Sequence, residues 1–135
     1  VAYAERTVVT VEESILEIRK TVARYKGEQF VFGVAEDKVV VGFTKEGRQV
    51  RFTVRQDPDQ PQKNKQLCRA LLLVLKAKLE AVESGVAVFE DEFLANIVLP
   101  TGKLVSQEVR PRLATAYETG EAPALLPDYT ERTGA

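Results

Sequence analysis

Histidine, methionine and tryptophan are absent from this 135-residue chain, and cysteine occurs once, at Cys68. Without histidine there is no ordinary general base poised near neutral pH, no imidazole ligand for zinc and no Ser–His or Cys–His nucleophile pair. A lone cysteine excludes an intramolecular disulfide and fits a reducing compartment. No apolar run approaches the roughly 18 residues that span a bilayer. The longest is interrupted at Arg69 and stops at Lys76, so no membrane partner is expected. The opening residues VAYAERTVV lack the basic stretch followed by an apolar core that marks an export signal, and none is expected. Phosphate-binding and dinucleotide glycine patterns and a G-x-S-x-G elbow are also missing. These absences predict a protein that is not an enzyme and carries neither cofactor nor metal.

Apolar residues make up 44% of the chain and charged residues 29%, the composition of a globular domain rather than a disordered one. The organising stretch is LCRALLLVLKAKLEAV, residues 67–82. Eight of its first nine residues are apolar, which predicts a helix covered on most sides in its first half. Lys76, Lys78, Glu80 and Glu83 then leave a one-sided stripe.

Upstream, Val8 and Val9 suggest a short strand, followed by a helix with Thr10 and Glu13 as a T-x-x-E capping box. Val11, Ile15, Ile18, Val22 and Tyr25 form its inward stripe, and Gly27 is its expected stop. Three strands follow as a meander. In the first, Phe30, Phe32 and Val34 alternate with Val31, Gly33 and Ala35, so both faces are apolar and cover on both sides is expected. After a turn at Glu36-Asp37-Lys38, Val39, Val41 and Phe43 define the second. Lys45-Glu46-Gly47 turns into the third, where Val50, Phe52 and Val54 oppose Gln49, Arg51, Thr53 and Arg55.

The polar segment DPDQPQKNK, residues 57–65, is expected to be a mobile loop, with Asn64 capping the central helix. Gly85 ends that helix. A short helix over Phe89–Ile97 turns Phe89, Phe93 and Ile97 inward, and Pro100-Thr101-Gly102 joins two extended pieces. A last helix opens at Ser106 or Arg110, with Pro111 in its first turn and Gly120 at its end. The expected fold is therefore α+β. A three- to four-stranded antiparallel meander carries the N-terminal and central helices and two shorter C-terminal helices, over residues 1–120. A proline-containing tail follows at 121–135.

Several segments together resemble a family of small bacteriophage and prophage proteins whose function is not assigned: ERTVVTVEESILEIRKTVARY, VVVGFTKEGRQVRF, RALLLVLKAKLEAVESGVAVFEDEFLANIVLPTGKLV, and AYETG with PALLP. They cover most of the chain in order. In that family the connection before the central helix is longer and rich in charged and aromatic residues, whereas here it is reduced to DPDQPQKNK. The resemblance implies a phage-derived protein of the host cytoplasm. It implies no activity and no site residues.

Net charge is −1, but it is unevenly spread. Residues 48–79 set Arg48, Arg51, Arg55, Lys63, Lys65, Arg69, Lys76 and Lys78 against only Asp57 and Asp59, while residues 80–135 are acidic. Either the two segments neutralise each other or the molecule offers a positive face to a polyanion. The candidate nucleic-acid-binding group is Arg48, Arg51 and Arg55 on the third strand with Lys63 and Lys65 in the loop. Such contacts follow phosphates and need charge and reach but no base-specific geometry. Single-stranded DNA is the favoured ligand, with Phe30 and Phe32 the nearest stacking candidates. The competing reading is an inhibitor or adaptor that docks on a host or phage protein through the acidic C-terminal half. A third is a homo-oligomer formed through the central helix or a sheet edge. Glu90-Asp91-Glu92 is not expected to hold a metal, since successive helix positions diverge by about 100°.

Overall fold

The computed structural model describes the backbone of residues 2–127 and the side chains of residues 11–127. The order is α1 (Ala2–Arg24), β1 (Glu28–Val34), β2 (Lys38–Lys45), β3 (Arg48–Arg55), α2 (Pro61–Glu83), α3 (Phe89–Glu92), a 3₁₀ turn (Leu94–Asn96) and α4 (Val105–Thr119). The expected α+β meander forms, in strand order β1-β2-β3 and antiparallel throughout.

The β2–β3 connection fixes the register. Lys45 pairs with Arg48 across Glu46 (φ +50°) and Gly47 (φ +75°). Positive φ at both central residues is the turn whose twist matches the strands it joins. Val39, Val41, Phe43, Val50 and Phe52 thereby fall on one face, where α1 and α2 bury them with Val11, Ile15, Ile18, Val22, Cys68, Leu71, Leu72, Leu75 and Leu79. Phe89 and Phe93 close one end of this core, with Phe93 edge-on to Phe43 and Phe52.

The two long helices run parallel: Glu17 meets Arg69 at 3.4 Å and Tyr25 Oη donates to Glu80 Oε2 at 2.6 Å further along both. That hydrogen bond, first, and desolvation, second, push the Tyr25 phenol above its ordinary value. Cys68 lies buried on the sheet side of α2, and desolvation pushes its thiol up.

Several expectations are corrected. α1 already runs from Ala2, so Val8 and Val9 are helical and Thr10 is not an N-cap; the alanines and charged residues ahead of Thr10 are good helix formers. Its left-handed closing residue is Lys26 (φ +67°), while Gly27 meets a different need. A Cβ there would lie 2.4 Å from Val22 Cγ1. The 57–65 segment is not one long loop, because α2 begins at Pro61, with proline in a first turn that needs no N–H. Asn64 is a buried clamp within that first turn. Its Oδ1 accepts from Asp57 N at 2.9 Å and its Nδ2 donates to Asp57 O at 2.8 Å. Nor is the first half of the 67–82 stretch covered on most sides, since Leu73 and Val74 are exposed.

β1 is not covered on both sides either. Phe30 packs against the core, but Val31, Phe32 and Val34 are exposed.

Beyond α2, the helix expected over 89–97 splits at Phe93 into α3 and the 3₁₀ turn, still with Phe89, Phe93 and Ile97 buried. Among the described residues there is no fourth strand. Ile97 makes one bridge to Val50, and the turn at Pro100-Thr101-Gly102 closes a bridge between Val98 and Leu104. α4 opens earlier than expected, at Val105, with Gln107 Oε1 accepting from Leu104 N at 2.8 Å. Pro111 therefore lies inside it rather than in its first turn. Gly120 ends it at φ +74°. Leu125 and Leu126 are exposed, and the tail from residue 128 onward lies outside the described residues.

Candidate nucleic-acid interface

Alternation along β3 sends Arg51 and Arg55 to the sheet face opposite the helices. Four residues at about 3.3 Å each separate them by about 13 Å. The register adds a residue expected in a turn. Lys38 lies directly across from Arg55, on the same face. The antiparallel rows continue as Val40 with Thr53, Gly42 with Arg51, and Thr44 with Gln49, so the rows shared by β2 and β3 hold no acidic side chain. The buried side chains of α1 and α2 lie against the opposite face.

Like charges directly opposed across a strand pair destabilise it, and among the described residues no carboxylate forms an ion pair with Lys38, Arg51 or Arg55. Asp37 lines the same shallow recess as Lys38, Thr53, Arg55 and Gln56 without bridging to either base. Arg51 is half-buried and donates from Nη2 to Gly102 O at 3.1 Å. That contact holds its guanidinium toward the Pro100–Gly102 turn. Lys38 was legible in principle: the two-residue turn at Glu46-Gly47 dictates that residues 38 and 55 pair.

The rest of the expected group does not join this face. Arg48 has the opposite parity and its Nε lies 2.8 Å from Glu90 Oε2. Lys63 and Lys65 are on α2, not in a loop, and point to different sides of it. Lys65 lines the groove between α1 and α2 with Glu13, Glu17 and Arg69, and Lys63 falls on the flank away from α1. Phe30 and Phe32 share the helix-facing side of β1, with ring centroids 6.3 Å apart, so neither stands beside Arg51 and Arg55.

The acidic segment is partly spoken for. Glu90 meets Arg48, Glu92 lies 3.3 Å from Lys78 Nζ, and Glu80 accepts from Tyr25. Neutralisation between the two charged segments therefore occurs around α3 and not on the open sheet face. Among the described residues no group of acidic, cysteine or histidine side chains is arranged to hold a metal ion, and no helix is long and apolar enough to cross a membrane. No protein-family model, curated protein or solved structure matches this chain.

Proposed function

We propose that this is a small non-enzymatic binding protein, of the phage type its sequence resembles, that takes nucleic acid by its phosphates on the open sheet face. The observation that carries the reading is the opposition of Lys38 and Arg55, with Arg51 on the same face and no carboxylate paired to any of the three. Two cations placed in register cost the sheet stability, and a phosphate between them turns that repulsion into attraction. A group confined to two neighbouring strands and about 13 Å long suits a single flexible backbone better than a duplex groove, which favours single-stranded DNA. Aromatic stacking is not part of this contact, so little sequence preference is expected.

Three phosphate contacts predict a salt slope of about −2 for a single strand, or roughly a 20-fold loss of affinity between about 50 and about 200 mM salt. Fluorescence anisotropy with labelled single- and double-stranded oligonucleotides measures this. Replacing Lys38, Arg51 and Arg55 together by Ala should remove most of the affinity and flatten the slope, while Arg48→Ala should change little. The sharper variant is Arg55→Glu, which sets opposite charges across the strands. It should stabilise the fold by about 0.2–1 kcal/mol and abolish binding. Wild-type affinity in the triple variant would rule this face out.

A further inference from the structure

The two edges of the sheet are finished differently. Along the first half of β3 the outward-pointing carbonyls have partners in the segment after α3: Gln49 O accepts from Val98 N at 2.8 Å and Arg51 O from Asn96 Nδ2 at 3.0 Å. Along β1 they have none among the described residues. Ala35 N donates to Lys38 O at 2.8 Å, so by antiparallel alternation Gly33 and Val31 bond inward to β2. Phe32 and Val34 then turn both backbone groups outward, and among the described residues β1 pairs with no strand but β2.

The side chains at this edge are equally bare: Val31 is 58% exposed, Phe32 53% and Val34 48%. Edge strands are ordinarily blunted by charge, proline, a bulge or a covering segment. β1 has its bulge at its start, between Glu28 and Val31 where Gln29 takes φ +52°, and residues 31–35 beyond it hold neither an ionisable group nor a proline. Gly33 needs explaining too. Glycine weakens a strand interior unless another backbone comes close; this one has no positive φ, and a Cβ built on it would meet nothing within 4 Å.

From these observations we infer that β1 is the interface of a symmetric dimer, in which a second copy of this chain adds its own β1 antiparallel about a two-fold axis at Gly33. A second copy is the occupant because the strand is complementary to itself. With Gly33 facing Gly33 of the other copy, Phe32 exchanges hydrogen bonds with Val34 and Val31 lies opposite Ala35, each apolar residue meeting an apolar or small one. An uncharged edge gives a polyanion or a charged peptide nothing to pair with. The axis stands perpendicular to the sheet, so six strands become continuous, all four long helices lie on one side, and both Lys38–Arg51–Arg55 groups lie on the other. The dimer does not depend on the nucleic-acid reading, and its test uses no nucleic acid.

Sedimentation equilibrium of the full chain should give a concentration-dependent mass approaching twice that of the monomer. Val34→Pro removes only an outward N–H, and Val34→Lys adds edge charge. Each should raise the dimer dissociation constant by at least about tenfold while leaving the far-ultraviolet spectrum unchanged. Hydrogen exchange should show the amides of Phe32 and Val34 gaining protection with concentration, while those of Val31 and Gly33 are protected throughout. Gly33→Cys should cross-link two copies under a mild oxidant, because non-hydrogen-bonded antiparallel partners sit about 4.5 Å apart at Cα, within disulfide reach; Cys68 is too buried to compete. A monomer at every concentration overturns the inference, as does a dimer indifferent to both Val34 variants.

Discussion

At the scale of single residues, Gly27 and Tyr25 show how closely the end of α1 is fitted. Gly27 is needed for room, since any Cβ would enter Val22 and press on the Phe43 ring 3.2 Å away. Gly27→Ala should therefore destabilise the fold by about 1–3 kcal/mol through overpacking, as read by urea denaturation. Tyr25 is tuned by its bond to Glu80. The folded phenol has a raised pKa, so the protonated form is the one folding favours. The associated stability is fully present below the ordinary tyrosine range near 10.0 and is lost as pH rises through the folded value. Among the four tyrosines, a ring-resolved NMR titration should find Tyr25 displaced upward, and Glu80→Ala should remove the displacement. Titration unchanged by that substitution would mean the contact is absent in solution.

At the scale of elements, the sequence was readable where a periodic pattern met local turn chemistry. The period-2 runs on either side of Glu46-Gly47 point to the meander, and the 3.6-period stripe from Val11 to Tyr25 to the inward face of α1. The misses have a common cause: a local signal admits two placements and the rest of the molecule chooses. Apolar residues on both faces of β1 look like a buried strand, but its place at the edge makes it an exposed one. Two prolines suggest a loop, yet Pro61 starts a helix. Lys38 looks like a turn residue until the register sets it against Arg55. α4 is the least anchored of the long elements. No residue in it is fully buried, Tyr117 is 86% exposed and Pro111 interrupts its hydrogen bonding. Its amides should exchange far faster than those of α2, whose Leu72, Leu75 and Leu79 are among the most buried side chains. Equal protection of α2 and α4 in native-state hydrogen exchange would contradict this ranking.

At the scale of the whole molecule, the helices form one wall and the charged strands the other, and the parallel course of α1 and α2 has a consequence for how that arrangement is reached. Antiparallel neighbours can zip together across a short link, but parallel ones cannot. The contact between Glu17 and Arg69 spans 52 residues and that between Tyr25 and Glu80 spans 55, with the meander in between. Loop-closure entropy must be met before either contact forms, whereas the β2–β3 hairpin closes across two residues. Folding should start at that hairpin and finish when the helices meet. In stopped-flow chevrons, Gly47→Ala should chiefly slow refolding, and Arg69→Ala should chiefly speed unfolding. The chain would then acquire its basic face early, while the helix wall that makes it a stable platform arrives last.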